Sequence, residues 1–364
     1  MSAIVLQTAF LGDMILTTPL LDRLASEGPV EVVATPASAG LLINHPSVRD
    51  VIVYDKRGAD RGTSGFRRIA ARVRATRART AYLAQGSLRT AALARVAGIA
   101  ERVGFDTSPG RLLYSRKVSF RRDLHHAARL WMLAASEREE PPAGLRPTLY
   151  PGDSEHAAVD ALLLAGGIAG GIAGGIERGI EGGIERGRER ATPLVVLAPG
   201  SVWATKRWPY YDALAERLVR GIARSPARIV VLGAAGDRAL AQAIGAAVAR
   251  AGGAPVIDAT GALSLLGSAA LLSRARVLVT NDSAPLHLAS AMNTPTVALF
   301  GPTVPKFGFG PLADRREVLG LDALPCRPCD AHGPQACPLG HWKCMRELNA
   351  ESVAGAVARL ATEE

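Results

Sequence analysis

One stretch constrains the fold of this chain more than any other: Val277–Thr303, with the sequence VLVTNDSAPLHLASAMNTPTVALFGPT. Its pattern predicts a buried strand (Val277–Thr280), a polar turn, a helix (Leu286–Met292) and a second strand (Thr296–Phe300). Two strands joined by a helix lie parallel in one sheet. The stretch therefore predicts an α/β domain.

The turn inside this stretch carries the residues with functional potential: Asp282, Ser283 and Ala284, followed by Pro285 and His287. Asp and Ser are common helix N-caps, and Pro suits the first helical turn. Backbone N–H groups and the positive end of the helix dipole point outward at such a turn, so it can bind an anion. An ordinary capped helix without a ligand is the alternative.

The rest of the chain repeats this alternation of strands and helices. Strands are predicted at Ala3–Thr8, Glu31–Thr35, Val51–Tyr54, Thr80–Gln85, Leu194–Ala198, Arg228–Gly233 and Val256–Ala259, and helices at Met14–Ser26, Ser87–Ala97, Asp123–Ser136 and Ser264–Ser273. With 364 residues the chain is long enough for two domains of about 150 residues each. The sequence thus predicts two α/β domains, each with a parallel sheet covered on both faces.

Composition places the expected domain boundaries. Residues 166–190 form a Gly- and Ile-rich near-repeat that opposes both helix and strand, which predicts a low-complexity linker insert. We expect a first domain at 1–165, a second at 191–345, and a C-terminal helix within 346–364 that could cross back to the first domain.

The sequence also bears on location. No run of 18 or more apolar residues is present, so no transmembrane helix is predicted. The N-terminal residues MSAIVLQTAFLGD lack the basic region and the small-residue cleavage pattern of a signal peptide. We therefore expect a cytoplasmic protein.

Three loops of the second domain follow predicted strands. The first, PGSVWATKRWP, contains Ser201, Thr205 and Lys206, which with backbone N–H groups would form a phosphate-binding site. The loop does not have the residue spacing of a P-loop. Asp237 follows the next strand, where an acidic residue often binds ribose hydroxyls and where a helix N-cap is the alternative. The third loop is the turn at 281–287. Because the carboxyl ends of neighbouring parallel strands lie at one edge, we expect these loops to converge.

The first domain opens with a strand that runs into Gly12 and Asp13. Gly12 permits a tight strand-to-helix turn. Asp13 then falls at the start of the helix, where its carboxylate can accept backbone N–H bonds as a cap. The alternative is a carboxylate that is presented to a ligand at the carboxyl end of the first strand.

The positive charge is concentrated in the first domain. The net charge is +10, and residues 1–150 hold 22 Lys and Arg against 13 Asp and Glu. The segment Ser64–Arg79 predicts an amphipathic helix with Arg67, Arg68 and Arg72 on its polar side, which suits anionic lipid or an acidic ligand. A solvated helix face is the alternative. Few aromatic residues lie between the arginines, so we expect no nucleic-acid partner.

The C-terminal tail holds all four cysteines, Cys326, Cys329, Cys337 and Cys344. A cytosolic chain disfavours stable disulfides. The spacing C-x2-C-x7-C-x6-C permits a structural zinc site, although it is not that of a zinc ribbon. Reduced thiols in a packed loop are the leading alternative.

Three motifs together resemble the ADP-heptose:lipopolysaccharide heptosyltransferases of glycosyltransferase family 9. They are FLGDMILTTPLL near the N-terminus, PGSVWATKRWPYYDALA in the middle and TNDSAPLHLASAMNTPTVALFGPT near the end. The tail with CPLGHWKCM is similar to the heptosyltransferase II branch. The motifs occur in the family's order across almost the whole chain, and the Gly/Ile insert and the Arg-rich middle of the first domain fall outside the resemblance.

The resemblance implies a GT-B fold, in which two Rossmann-like domains face each other across a cleft. It also implies an inverting transfer that needs no metal or other cofactor, and the sequence contains no D-x-D pair. Asp13 would be the general base. The ADP-heptose diphosphate would be held by Ser201, Thr205, Lys206 and the N–H groups near Ser283, with Asp237 near the ribose, and Asp282 and His287 match the family motif D-[ST]-G-x-x-H. Ala284 stands where the family usually has Gly, which would cost about 1 kcal/mol if the position needed a positive φ.

The family's acceptor is the phosphorylated inner core of lipid A, which bears Kdo. An acidic, membrane-held substrate gives the basic first domain a partner, with Gly12, Arg67, Arg68 and Arg72 as acceptor-binding candidates and peripheral attachment to the inner face of the cytoplasmic membrane. The alternatives are another transferase of the family (heptosyltransferase I, or one using a different nucleotide sugar), a sugar-nucleotide epimerase and a non-catalytic nucleotide-sugar-binding protein.

Overall fold

The computed structural model describes residues 2–168, 193–221 and 227–362. The chain divides into two compact units, which comprise Met1–Tyr150 with Lys306–Leu312, and Pro151–Pro305 with Ala313–Glu364. Apart from residues 166–168, the linker insert predicted at 166–190 lies outside the described residues.

The first unit is built on a six-stranded sheet in which all neighbouring strands are parallel. Its strands are β1 (Ala3–Leu6), β2 (Val30–Ala34), β3 (Val48–Val53), β4 (Thr80–Tyr82), β5 (Glu101–Phe105) and β6 (Arg116–Val118). Its helices are α1 (Leu11–Ala25), α2 (Pro36–Ala39), α3 (Gly62–Ala75), α4 (Leu88–Val96) and α5 (His126–Met132). The strand order β3-β2-β1-β4-β5-β6 is that of a Rossmann domain.

The second unit repeats this plan. Its helices are α6 (Asp153–Ala165), α7 (Tyr211–Val219), α8 (Arg238–Arg250), α9 (Leu265–Ser273), α10 (Ala284–Met292), α11 (Lys343–Arg346) and α12 (Ala350–Thr362). Its strands are β7 (Leu194–Ala198), β8 (Arg228–Val231), β9 (Ile257–Asp258), β10 (Val277–Asn281), β11 (Thr296–Phe300) and β12 (Arg316–Gly320). They are all parallel, in the order β12-β11-β10-β7-β8-β9. The predicted fold class, two Rossmann-like α/β domains, is confirmed.

The central strands explain why the pattern was readable. Every residue of β1, β2, β7, β10 and β11 is buried, because helices cover both faces of each sheet. Such strands are nearly continuous apolar runs. Three strands were not predicted, β5, β6 and β12, and they contain charged residues such as Glu101, Arg116 and Arg316 that mask the pattern.

Two helices lie elsewhere than the sequence suggested. Helix α6, which the sequence analysis placed in the first domain, belongs to the second unit, where Asp160 forms an ion pair with Arg274 beside α9. Helix α12, for which a return to the first domain was suggested, also lies in the second unit. There Val357 and Leu360 share an apolar core with Leu218 of α7.

Within the described part of the chain, no helix is both long enough and apolar enough to cross a membrane.

Candidate functional site

The carboxyl edge of the second sheet brings Lys206 and Asp282 together. Lys206 ends a short 3-10 turn after β7, and Asp282 directly follows β10, the neighbouring strand. The Lys206 ammonium Nζ lies 2.6 Å from Asp282 Oδ2, and both residues are buried. Sequence spacing predicted that these loops converge, but the ion pair itself is a finding of the tertiary structure.

Thr303 completes this cluster and was not predicted. It follows β11, the next strand along the sheet, and its hydroxyl donates to the same Asp282 Oδ2 at 2.7 Å. Thr303 is 1% exposed. Its position after a third neighbouring strand was the available signal, since loops that follow adjacent parallel strands share one edge.

A buried amide fixes the loop that carries Lys206. Asn281 Nδ2 donates to the Pro199 carbonyl (2.8 Å), and Oδ1 accepts from the Trp208 N–H (3.2 Å) and the Tyr211 hydroxyl (3.3 Å). Burial raises the pKa of Tyr211 well above its ordinary value, so its hydroxyl stays a donor. Asn281 therefore ties both ends of the loop 199–208 to strand β10.

The other predicted donor-site residues of these loops make local contacts. Ser201 Oγ accepts from the Trp203 N–H (3.2 Å), and the Thr205 hydroxyl donates to the Pro334 carbonyl. Asp237 lies at the N-cap position of α8, but its Oδ2 accepts from the Ala234 N–H at 2.9 Å and so caps the preceding 3-10 turn instead of the helix. Gly200 allows two loops to meet, because a Cβ at this position would lie 2.3 Å from Asp237 Oδ2.

The turn before α10 is shorter than predicted, because the helix begins two residues earlier. The helix begins at Ala284, with Ser283 as an extended N-cap (φ −153°). The non-glycine residues of the described chain with positive φ are Arg77, Asn293 and Trp342, so Ala284 causes no backbone strain. His287 lies inside the helix and is 5% exposed.

This arrangement suits an anion. The N-terminus of α10 presents backbone N–H groups and the positive end of a nine-residue helix beside the buried ammonium of Lys206. Asp282 neutralises that ammonium, and the backbone N–H groups remain to meet a phosphate. The edge therefore combines one paired cation with a helix N-terminus.

In the first unit Asp13 lies one helical turn deeper than predicted. Helix α1 begins at Leu11, so Gly12 lies within the first helical turn and does not form the turn before it. Asp13 Oδ2 accepts a hydrogen bond from the Phe10 N–H (3.2 Å), as a capping carboxylate does. Its other oxygen lies 3.5 Å from Nε2 of His126, the first residue of α5. The carboxylate thus caps α1 and also faces an imidazole that sequence reasoning missed.

Cations at the same edge of the first sheet were also missed. Lys56 Nζ donates to the Thr8 carbonyl at 2.7 Å, where β1 ends. Arg89 donates to the Tyr54 hydroxyl and stands 5.3 Å from its ring centroid. Burial, followed by the charges of Arg57 and Arg89, lowers the pKa of Lys56. Among the described residues, no carboxylate forms an ion pair with Lys56, Arg57 or Arg89. This edge of the first sheet is therefore positively charged.

The predicted arginines of α3 differ in their surroundings. Arg68 is held by Asp60 at 2.6 Å and by the Ala59 carbonyl. Arg67 and Arg72 are exposed on the polar side of the helix. The basic amphipathic helix is present, and Arg68, in its second turn, binds the loop that precedes the helix.

The cysteine tail holds thiols in different environments. Cys326, Cys329, Cys337 and Cys344 are all free. Burial raises the pKa of Cys344 to about 11, whereas for Cys337 the backbone N–H groups of residues 339–342 outweigh burial and lower its pKa. Among the described residues no group of three or more His, Cys, Asp or Glu side chains is arranged to hold a metal ion. The described geometry therefore does not support the structural zinc site that the cysteine spacing permits.

Comparisons with known proteins agree on one family. The family model described as glycosyltransferase family 9 (heptosyltransferase) matches residues 66–339. Lipopolysaccharide heptosyltransferase 1 of Pseudomonas aeruginosa is 39% identical over 140 residues, which are 38% of this chain and 36% of that relative. The match therefore spans about a third of the relative's length.

Two solved structures resemble the whole chain. The glycosyl transferase family 9 protein of Veillonella parvula has a TM-score of 0.80 at 22% identity and covers 100% of this chain and 98% of its own. The E. coli ADP-heptose LPS heptosyltransferase II has a TM-score of 0.75 at 22% identity, covering 99% and 98%. At these identities the likeness shows the fold, the GT-B class of two Rossmann-like domains.

Proposed function

The chain belongs to glycosyltransferase family 9, the heptosyltransferase family, and we propose that it transfers heptose from ADP-heptose to the inner core of lipopolysaccharide. One observation of the structure carries the proposal. Lys206 is paired with Asp282, two residues before the start of α10, at the carboxyl edge of the second sheet, where Rossmann domains bind nucleotides.

The second unit would bind the donor. The diphosphate of ADP-heptose would accept hydrogen bonds from backbone N–H groups at Ser283 and Ala284 and from the ammonium of Lys206. As the bond between the anomeric carbon and the diphosphate breaks, negative charge grows on the leaving oxygen. Lys206 and the helix N-terminus would stabilise that charge, which supports a transfer without a metal ion.

The first unit would bind the acceptor. Asp13 would take the proton from the acceptor hydroxyl while that oxygen attacks the anomeric carbon from the side opposite the diphosphate, which inverts the configuration. His126, 3.5 Å from Asp13, would stabilise the ionised carboxylate and hold its orientation. Lys56, Arg57 and Arg89 would bind acidic groups of the saccharide, together with the arginines of α3.

The acceptor's chemistry also supports a location. A lipid-linked, phosphorylated acceptor lies at the inner leaflet of the cytoplasmic membrane, and we place the protein there as a peripheral protein. The exposed Arg67 and Arg72 of α3 supply the charge for anionic headgroups.

The substitution Asp13→Asn tests the proposal. We expect loss of about 100-fold to 10,000-fold in transfer rate, the usual contribution of a general base, with unchanged affinity for ADP. Wild type and variant are assayed by mass spectrometry with ADP-heptose, UDP- and GDP-sugars, on acceptors that carry Kdo alone or Kdo with one heptose. The acceptor pair separates heptosyltransferase I from II activity, which the relatives leave open.

Three outcomes would contradict the proposal. Isomerised donor in reactions without acceptor would indicate an epimerase. Nucleotide-sugar binding without turnover in the wild type would indicate a binding protein. Transfer that is unaffected by Asp13→Asn would remove Asp13 from the role of base.

A further inference from the structure

Arg327, directly after the first cysteine of the cysteine-rich segment (Cys326–Cys344), has a buried guanidinium. Its Nε donates to the Gly301 carbonyl, and its Nη2 donates to the carbonyls of Phe300 and Thr303, both at 3.0 Å. The side chain is 3% exposed, while Asp322, 3.7 Å from its Nη1, is fully exposed. Burial of a charged group is costly unless hydrogen bonds satisfy it. Backbone carbonyls satisfy Nε and Nη2, whereas the buried Nη1 makes no hydrogen bond to a described residue.

Those three carbonyls belong to the turn that carries Thr303. A further bond, from the Cys329 N–H to the Pro302 carbonyl at 2.8 Å, fixes the same turn. The Thr303 hydroxyl then donates to Asp282 Oδ2, which is the oxygen that binds the Lys206 ammonium. A continuous chain of contacts therefore leads from Arg327 through Thr303 and Asp282 to Lys206.

The segment also reaches Lys206 directly. A Cβ at Gly333 would lie 3.3 Å from Lys206 Cε and 3.3 Å from Thr205 Oγ1. The carbonyl of the next residue, Pro334, accepts a hydrogen bond from the Thr205 hydroxyl. Residues 333–334 thus cover the methylene stem of Lys206, which restricts a side chain that is otherwise flexible.

We propose that Arg327 and Thr303 are positioning residues that hold the Lys206 ammonium in place for the donor diphosphate. Arg327 fixes the turn, Thr303 orients Asp282, and Asp282 holds Nζ. The cysteine-rich segment is in this way a wall of the donor site. The diphosphate as ligand rests on the proposed function, whereas the positioning of Lys206 does not.

Thr303→Val and Thr303→Ser form a matched pair, since only Val removes the hydroxyl at nearly constant size. We expect ADP affinity, measured by calorimetry, to fall about 10-fold in Thr303→Val and to recover in Thr303→Ser, because a hydrogen bond to a carboxylate is lost and regained. The donor KM should rise with the acceptor KM unchanged. Arg327→Lys keeps the charge but loses the planar fork whose separate nitrogens reach the three carbonyls, so it should act like Thr303→Val. Arg316→Lys, an exposed arginine of the same unit, is the control.

A second readout needs no nucleotide. The rate at which an amine reagent modifies Lys206, followed by mass spectrometry, should rise several-fold in Thr303→Val and stay at the wild-type rate in Thr303→Ser. Unchanged Lys206 reactivity and ADP affinity in Thr303→Val, in a folded protein, would overturn the inference. If the wild type binds no ADP while Lys206 reactivity still rises, the proposed function fails and the positioning chain stands.

Discussion

The carboxyl edges of the two sheets share a topology and differ in their electrostatics. In the first unit, Lys56, Arg57 and Arg89 form no ion pair with any carboxylate among the described residues, and burial together with the nearby charges of Arg57 and Arg89 lowers the pKa of Lys56. In the second unit, Lys206 is buried and paired with Asp282. The same strand order thus supports a site with unneutralised positive charge in the first unit and a site with a neutralised lysine in the second. The topology determines where a site lies, and the side chains determine its chemistry. The first suits a large acidic partner, and the second suits a small anion.

The largest expected effect comes from breaking the buried ion pair between Lys206 and Asp282. Lys206→Met leaves Asp282 buried without its cation, so we expect the free energy of unfolding to fall by about 3–5 kcal/mol. ADP affinity should fall about 100-fold or more, since the ammonium is lost as well. Denaturant unfolding and calorimetry measure the two effects. Lys56→Met is the matched control at the carboxyl edge of the first sheet, where removal of a repelled cation should leave stability unchanged or slightly raised. Equal destabilisation by both changes would contradict the contrast.

We expect substitutions of the cations at the carboxyl edge of the first sheet to change acceptor binding. Lys56→Met and Arg89→Met should each raise the acceptor KM about 10-fold and leave the donor KM unchanged, because each removes one charge-assisted contact. The lowered pKa of Lys56 means that it loses its proton below the ordinary 10.5, so acceptor binding should weaken at lower pH than it would for an unperturbed lysine. Steady-state kinetics across alkaline pH check this, with Lys117→Met, an exposed lysine of β6, as the control. A donor KM that rises instead would assign these cations to the wrong substrate.

The smallest expected effect concerns the exposed polar side of helix α3. Arg67→Gln and Arg72→Gln should each weaken binding to vesicles with anionic lipid about fivefold, in line with roughly 1 kcal/mol per basic residue near the surface. Arg68→Gln is the internal control, because Asp60 already holds that guanidinium. Sedimentation with vesicles at low and high salt measures the effect. Equal binding by the wild type and the double variant would remove α3 from the membrane contact.

Whether an element was predicted from the sequence depended on how apolar its residues are. Central strands were predicted because strands that are buried on both faces are almost wholly apolar. Strands β5, β6 and β12 were not predicted, because their charged residues give a sequence pattern that is typical of loops. Helix α10 was predicted two residues short because Ala284 and Pro285 gave no apolar periodicity, although Pro is common in the first turn.

For the site, the sequence by itself determined which residue types follow which strands: Asp13 after β1, Lys206 after β7 and Asp282 after β10. It could do so because strand ends and helix starts are local patterns of polarity and capping. Only the tertiary structure decided that Lys206 pairs with Asp282, that His126 faces Asp13 and that Arg327 is buried. These contacts join residues far apart in the chain, and they depend on strand order and packing, which no local pattern encodes.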